Sequence, residues 1–402
     1  MSIYELDVKV GNDTGNSEHD IIINGVQICQ PNVIAKVRKT PNLEELNQSK
    51  FIENIEKNLV VNIISKDVTT GTYFLGEYAL NSGESVKSIE VGVDNNKSES
   101  DIVIINTIGQ IAGFAVKKAF EENKLEVDSI KVNVDMGGAL PISQHSKVVA
   151  KAFAQRFMED KHIVNVETPE KSVTVEIVFD YVKILPEGVT TVFALENADD
   201  ELFKSYNEKL GINELNSQYF KEKERRILHI AIGEGTTEYP ITVGKKFDPN
   251  FIKGSNNGVG HAIDDSLEEF INEFGLANYS RQQFSKVVRD KSHKYHLTAM
   301  EILEFYLEKQ SDEILQIAKK EMIKANNEVD LILVYGGGSI LMRKSLESKL
   351  EKVCERGKIK LLYVDHHENS ENEKIDAVNI ESKGLYSFVT SKLFAKLKEI
   401  DK

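Results

Sequence analysis

The chain has 402 residues, of which 41% are hydrophobic and 28% charged, with a formal net charge of −14. This length and apolar content allow a large core and two domains or lobes. The acidic balance disfavours direct binding to nucleic acid or to an anionic membrane. The N-terminus MSIYELDVKV has no basic stretch followed by an apolar one, and no apolar run suggests a membrane span. Cys29 and Cys354 fit no disulfide or metal spacing. A soluble, intracellular, cytoplasmic protein is expected.

Taken in order, Tyr4–Val10 alternates as a strand. The polar turn Gly11–Asp20 follows, then Ile21–Ile23, a turn at Asn24-Gly25 and Val26–Cys29, which together make a meander. Asp13, Thr14, Gly15, Asn16 and Ser17 gather donors around a glycine beside one carboxylate, although any hairpin turn favours such residues. Pro31–Glu99 is less regular and reads as an insertion, with a helix over Asn42–Asn58, strands at Leu59–Ser65 and Tyr73–Tyr78, and a polar loop at Gly92–Ser98. Ser100–Glu122 is helical by apolar spacing and by its Ser-Asp start. Val127–Val134 reads as a strand, GGALPISQH as a loop, Lys147–Asp160 as a helix and Ser172–Leu185 as strands. LPEG at Leu185–Gly188 leads into a helix extending to about Asn207. The run KEKERR is a solvated lead-in.

ILHIAIGEGTTEYPIT (Ile227–Thr242) reads as strand, Gly-rich tip, strand. Gly233 and Gly235 permit positive φ and close approach, and the Thr236 and Thr237 hydroxyls add donors, a composition that suits a phosphate. KGSNNGVG then places a Gly/Asn loop holding Asn257 and Gly258 directly before a helix, where loop amides and a helix N-terminus favour anionic or polar groups. Leu297–Asn326 is an amphipathic helix with a break expected at Ser311-Asp312. Asp330–Tyr335 is an apolar strand ended by Gly336, Gly337, Gly338 and Ser339 before the helix Leu341–Lys352. Three successive glycines there would let the backbone lie flat against something planar. Lys358–Val364 is a strand, the loop holding His366 and His367 is a surface loop and not a metal site, and Gly384–Ile400 is a closing helix.

GNDTG with NSEHDIIINGVQICQPN, then LPEG, IGEGTTE, KGSNNGVG and VYGGGSIL, in this order, resemble the superfamily of actin, the heat-shock chaperone ATPases and the sugar kinases. Within it, the chain is most similar to bacterial plasmid-segregating actin-like proteins of the ParM and StbA type. The resemblance implies an α/β fold of the actin-like ATPase kind, with two lobes of duplicated RNase H-like domains and a nucleotide cleft between them. Lobe I would be 1–194 plus 380–402 with an inserted subdomain at about 31–99, and lobe II 195–379. Helices Asp101–Phe120 and Ser311–Asn326 resemble the interlobe connections by pattern.

What it implies functionally is ATP (or GTP) bound with Mg²⁺. Thr14, Gly15, Asn16 and Ser17 would form a first phosphate loop, and Gly233, Glu234, Gly235, Thr236 and Thr237 a second. Asn257 and Gly258 would lie near the ribose. Gly336, Gly337, Gly338 and Ser339 would form the adenosine loop, with Gly337 and Gly338 against the base. Asp13 would hold Mg²⁺ through waters and Glu187 would orient the attacking water. One position departs from the pattern D-x-G-x-G-T-T-[DE]: Ala231 stands where Asp usually opens the second loop, and Glu234 is a substitute carboxylate to consider. The resemblance further implies self-assembly into filaments and a centromere-binding, ParR-like adaptor for moving plasmid DNA. The alternatives are a small-molecule kinase and a non-assembling nucleotide-binding scaffold of the same superfamily.

Overall fold

Strand β1 (Ile3–Thr14) pairs antiparallel with β2 (Glu18–Ile23), which continues through the Asn24-Gly25 turn into β3 (Val26–Pro31). The computed structural model describes residues 3–89, 96–124, 126, 129–211, 213–251, 253–277, 279–366 and 374–401, apart from the side chain of residue 282. Two units divide the chain: Met1–Ala194 with Glu381–Lys402, and Leu195–Ile380.

The first unit carries on from β3 with β4 (Val33–Val37), α1 (Gln48–Glu53), β5 (Val60–Ile64), β6 (Gly71–Leu75), α2 (Gly76–Asn81) and β7 (Lys87–Ser88). Then come α3 (Asp101–Glu121), β8 (Ser129–Leu140), α4 (Lys147–Met158), β9 (His162–Glu167), β10 (Ser172–Pro186) and α5 (Val189–Leu195). Its ten strands form one sheet in the order β3-β2-β1-β8-β10-β9-β5-β6-β4-β7, parallel where β1 meets β8 and β8 meets β10. The core gathers Val8, Val10, Ile21, Val132, Val134, Val164 and Ile177 from the strands against Ile104, Ile108 and Ile111 of α3. By length and composition alone α3 could cross a membrane, in contrast to the reading of the sequence, but 83% of its apolar window is buried inside this unit. It is apolar all round because it is a core helix.

The second unit comprises α6 (Glu201–Leu210), β11 (Arg226–Ile232), β12 (Thr237–Glu238), β13 (Ile241–Val243), β14 (Lys246–Phe247), β15 (Gly254–Ser255), α7 (Val259–Phe274), α8 (Arg281–Arg289), α9 (His296–Lys324), β16 (Leu331–Tyr335), α10 (Gly337–Gly357) and β17 (Lys360–Tyr363). Its sheet follows β14-β13-β11-β12-β15, and the parallel strands β16 and β17 extend it from β11. Leu228, Ile230, Ile232, Ile332 and Val334 pack against Leu303, Leu307 and Ile314 of α9 and Met342 and Leu346 of α10.

Several elements differ from the sequence reading, each for a local reason. β1 runs on through Asp13 and Thr14, because Thr14 still pairs with His19, so the polar turn narrows to residues 15–17. β8 likewise runs through Gly137, Gly138, Ala139 and Leu140, paired on both edges as far as Gly138 and with β10 to its end. In place of one long helix at Asn42–Asn58 there is α1, capped by Asn47 Oδ1, and a 3₁₀ turn at Ile55–Lys57. The strand expected to reach Tyr78 ends at Leu75, where Gly76 turns the chain into α2 with φ +55°. The helix after LPEG is two, α5 and α6. No break interrupts α9 at Ser311, whose hydroxyl is bonded to that of Ser345 inside the packing with α10. The closing helix is also two, Ile380–Val389 and Lys392–Asp401. Strand β9 and helix α8 were not anticipated. The chain passes between units at 194–195 and 380–381, so α3 and α9 each lie within one unit and neither is a connection. Residues 92–95 of the Gly92–Ser98 loop, residues 127–128 and His367 lie outside the described residues.

Candidate functional site

In the first unit, the turn Gly15–Ser17 is held by side chains from beneath. Asn32 donates its backbone N–H to the Ser17 carbonyl at 2.8 Å and its Nδ2 to the Gly15 carbonyl at 2.6 Å. Asn106 of α3 donates in turn to Asn32 Oδ1 at 2.8 Å, and both asparagines are buried. A second buried chain runs alongside, with Asn12 Nδ2 donating to Thr107 Oγ1 at 3.0 Å and His19 Nε2 2.7 Å from Asn12 Oδ1. Burial brings the His19 pKa down to about 3, so the ring is neutral and carries its proton on Nε2, the nitrogen facing an acceptor. Buried polar groups bonded to one another in this way fix a turn's position.

Next to this turn lies a charged cluster whose key member the sequence did not signal. Lys97, on the 3₁₀ turn Lys97–Glu99, is only 4% exposed, and its Nζ lies 3.1 Å from Glu187 Oε1. Arg156 of α4 secures that turn by donating to the Ser98 carbonyl at 3.0 Å and to Asp101 at 2.8 Å. Burial by itself would lower the Lys97 pKa, but Glu187 and Asp13 outweigh it and hold the ammonium above its ordinary value. Asp13, at the end of β1, is affected in the opposite sense. Burial raises its carboxyl to about 6; Lys97 opposes that rise, and Glu187 and Glu18 add to it. Glu187 directly follows β10, with its N–H on the Leu140 carbonyl at 2.9 Å. The next residue, Gly188, turns the chain at φ +92° and donates to Glu381 Oε1 at 2.9 Å. Asp13, Glu187 and Lys97 are thus brought together from three separate parts of the sequence.

In the second unit, the tip after β11 is held by backbone. The carbonyls of Gly233, Glu234 and Gly235 accept from the N–H groups of Val259 (3.0 Å), Gly260 (2.7 Å) and Gly258 (3.2 Å). His261 Nε2 adds a bond to the Gly235 carbonyl at 3.1 Å. In a trans peptide the carbonyl points opposite to the following N–H. With three successive carbonyls turned toward the start of α7, the N–H groups of Glu234, Gly235 and Thr236 face the other way, as a row of donors suited to an anion. Neither Gly233 nor Gly235 uses the positive φ that its sequence permits. Closeness of the supporting backbones accounts for other glycines. A Cβ on Gly258 or Gly260 would strike the Glu234 carbonyl, one on Gly336 the Ile232 carbonyl and one on Gly338 the Gly233 carbonyl.

This geometry revises several expectations. The first N–H groups of α7 are used by the loop, so Gly258 supports it and the helix start offers no free anion site of its own. Thr237 is buried with Oγ1 on the Asn257 carbonyl at 2.7 Å, while Thr236 is half-buried. The Asn257 side chain reaches Glu313 at 3.2 Å. Packing explains Gly336 and Gly338; Gly337 alone is exposed, and a Cβ there would meet nothing within 4 Å. Ser339 is fully buried. Ala231 pairs with Glu238 and Tyr335 in the ladder, and the Glu238 carboxylate turns inward beside Gly254. Glu234 forms an ion pair with Arg281 of α8, which also donates to Asp264 Oδ1 at 2.7 Å and to the Gly260 carbonyl at 3.0 Å. His366 lies 3.0 Å from Asp376, and no cluster of metal-ligating side chains occurs among the described residues. Besides Lys97, the sequence reading missed Asn106, Gln310 and Arg281. The only available signal was Ser280 followed by Gln283, a capping box that marks the start of α8 without revealing what Arg281 would reach.

Comparison with known proteins agrees with this architecture. Residues 11–189 match the family model described as actin like proteins N terminal domain. The actin-like protein Alp7A superposes with a TM-score of 0.70 at 16% identity, over 98% of this chain and 99% of that one. A pCBH ParM described as a non-polymerisable quadruple mutant gives 0.62 at 16% identity, over 95% and 98%. Bacillus thuringiensis ParM with ATP gives 0.57 at 16% identity, over 97% and 99%. No curated protein matches the sequence. The chain has an actin-like fold, and its residues 11–189 are similar to the N-terminal domain of actin-like proteins.

Proposed function

We propose that this chain is a nucleotide-dependent, filament-forming ATPase that drives plasmid DNA segregation in the cytoplasm through a ParR-like centromere-binding adaptor. The observation carrying the nucleotide reading is the fixing of the Gly233, Glu234 and Gly235 carbonyls by α7, which leaves a row of N–H donors facing outward. Gly233–Thr237 and Thr14–Ser17 act as phosphate loops for ATP or GTP, and Gly337 is the adenosine-loop glycine left open to a flat base. A divalent cation suits the first unit, where Asp13, Glu187, Glu18 and Glu381 outnumber Lys97 and where burial, with Glu187 and Glu18 adding to it, pushes Asp13 up to about 6. Asp13 would hold Mg²⁺ through waters, and the ion would neutralise phosphate charge. Glu187, fixed by Lys97, orients the attacking water as its base or acceptor. Support for assembly comes from the shared fold and from the pCBH relative, a ParM whose mutant is described as non-polymerisable.

The direct test is right-angle light scattering on adding Mg-ATP, with phosphate release followed in the same sample. A rise that decays as phosphate appears is the expected result. No rise over a wide protein concentration, with nucleotide still bound, overturns assembly. Ala231 favours a second reading, a scaffold that binds nucleotide without rapid turnover, since it brings no carboxylate to the second loop. A stable rise without phosphate would select slow turnover, and bound nucleotide with neither signal would select the scaffold.

A further inference from the structure

Glu234 is an awkward residue for a loop that receives phosphate. Its own N–H is one of the outward donors, and the N–H groups of Gly235 and Thr236 follow directly, so its carboxylate is tethered beside a site suited to anions. A carboxylate accepting backbone N–H groups forms charge-assisted bonds much like those of a phosphate oxygen. A tethered competitor acts at high effective concentration. The structure places that carboxylate elsewhere. Arg281 holds it in an ion pair and is itself fixed by Asp264 Oδ1 at 2.7 Å and by the Gly260 carbonyl at 3.0 Å. Gly260 also donates to the Glu234 carbonyl at 2.7 Å, so one short segment orients both the backbone and the side chain of Glu234. The Arg281 and Glu234 side chains are 32% and 28% exposed. At that exposure an isolated pair is worth little; the fork-shaped guanidinium, with its further acceptors, supplies the geometry that a single contact would not.

We infer that Arg281 is a positioning residue that keeps the Glu234 carboxylate out of the second phosphate loop, so that without it Glu234 occupies the donors and competes with nucleotide. This rests on the phosphate-loop reading proposed above. Glu234 is then a restrained intramolecular inhibitor and not a replacement for the carboxylate missing at Ala231.

The test is Mg-ATP binding by calorimetry to the full chain and to Arg281→Gln, Glu234→Gln and the double variant, with thermal melts run alongside. Arg281→Gln should weaken binding about ten-fold, by leaving a tethered carboxylate free to compete. The double variant should bind within about three-fold of Glu234→Gln alone, since an amide carries no charge to compete. Binding unchanged in Arg281→Gln, or a loss that Glu234→Gln does not rescue, overturns the inference; the latter is what a merely structural arginine would give. If Arg281→Gln does not fold, Arg281→Lys is measured with the same rescue, because one ammonium cannot reproduce the fork. Absence of binding by the parent protein overturns the phosphate-loop reading itself, and the inference with it.

Discussion

The turn at Gly15–Ser17 and the tip at Gly233–Gly235 present backbone in similar short segments but are supported by different means. Side chains hold the first, through Asn32 and Asn106, and charged groups stand beside it in Asp13, Lys97 and Glu187. Backbone holds the second, through the N–H groups of residues 258–260, and its one loop carboxylate is restrained by Arg281. The difference suggests a division of labour. On the proposed reading, the first unit would supply groups that take up protons, cations and water, and the second fixed donors. A fixed donor row stabilises developing charge without reorganising, and the titratable cluster tunes protonation.

The sharpest way to break this comparison is to remove the carboxylate that the first unit contributes. Glu187→Gln is expected to lower phosphate release about 10²–10³-fold while nucleotide affinity changes less than about three-fold, since general-base loss acts on the chemical step. Retained turnover would move the chemistry away from the first unit. On the second unit, Gly258→Val puts a side chain where the Glu234 carbonyl lies. Displacing the loop should raise the Kd for Mg-ATP about 10–100-fold, on the scale of losing a few kcal/mol of fixed hydrogen bonds. Gly337→Ala is the informative control, because its Cβ meets no protein atom within 4 Å. It should leave the melting temperature unchanged, so any loss of affinity it causes would report a base lying on that glycine.

The two supports also differ in how far sequence alone revealed them. Glycines at 258, 260, 336 and 338 are dictated by backbones in close approach, a requirement that leaves a pattern in the chain, and the motif around Gly233 was legible for that reason. The pattern did not reveal its cause: Gly336 and Gly338 were read as a flat surface for a ligand, yet they are spaces for the Ile232 and Gly233 carbonyls. Lys97 left no signal at all. It is one lysine in a polar stretch, and its importance comes from tertiary packing that Arg156 enforces from a helix far along the chain. Strand ends at Thr14 and Leu140 were similarly misjudged, because polar and glycine residues mark turns only where no neighbouring strand completes their hydrogen bonds.

The charged cluster should give nucleotide binding a pH dependence that originates in the first unit. Asp13 titrates near 6 in the folded protein against an ordinary 3.8, so between those values the folded state holds a proton that the unfolded state does not. Stability from this group therefore declines as pH rises from about 4 to 6. Cation binding, which needs the ionised carboxylate, improves over the upper part of the same rise. Affinity for Mg-ATP should increase about ten-fold between about pH 5 and 7, and Asp13→Asn should flatten that slope. Asp20, raised to about 7 mainly by burial, titrates nearby, so Asp20→Asn serves as the comparison that should leave most of the slope in place.

The smallest expected effect tests the supports themselves. Asn106→Ala removes the donor to Asn32 Oδ1, leaving a buried acceptor without that bond at a cost of about 1–3 kcal/mol. In a unit of this size that corresponds to a fall of roughly 2–12 °C in melting temperature, with nucleotide affinity lowered a few-fold as Asn32, which anchors the Gly15 carbonyl, loses its own support. The matching change in the second unit is Gln310→Ala, which removes a bond to the Gly258 carbonyl at 2.5 Å. There the loop keeps its backbone bonds to residues 258–260, so affinity should change less than in Asn106→Ala even if the melting temperature falls as far. Equal losses of affinity in the two variants would mean that the second loop also depends on side chains. The distinction between a side-chain-held turn and a backbone-held tip would then fail at the point where it is easiest to measure.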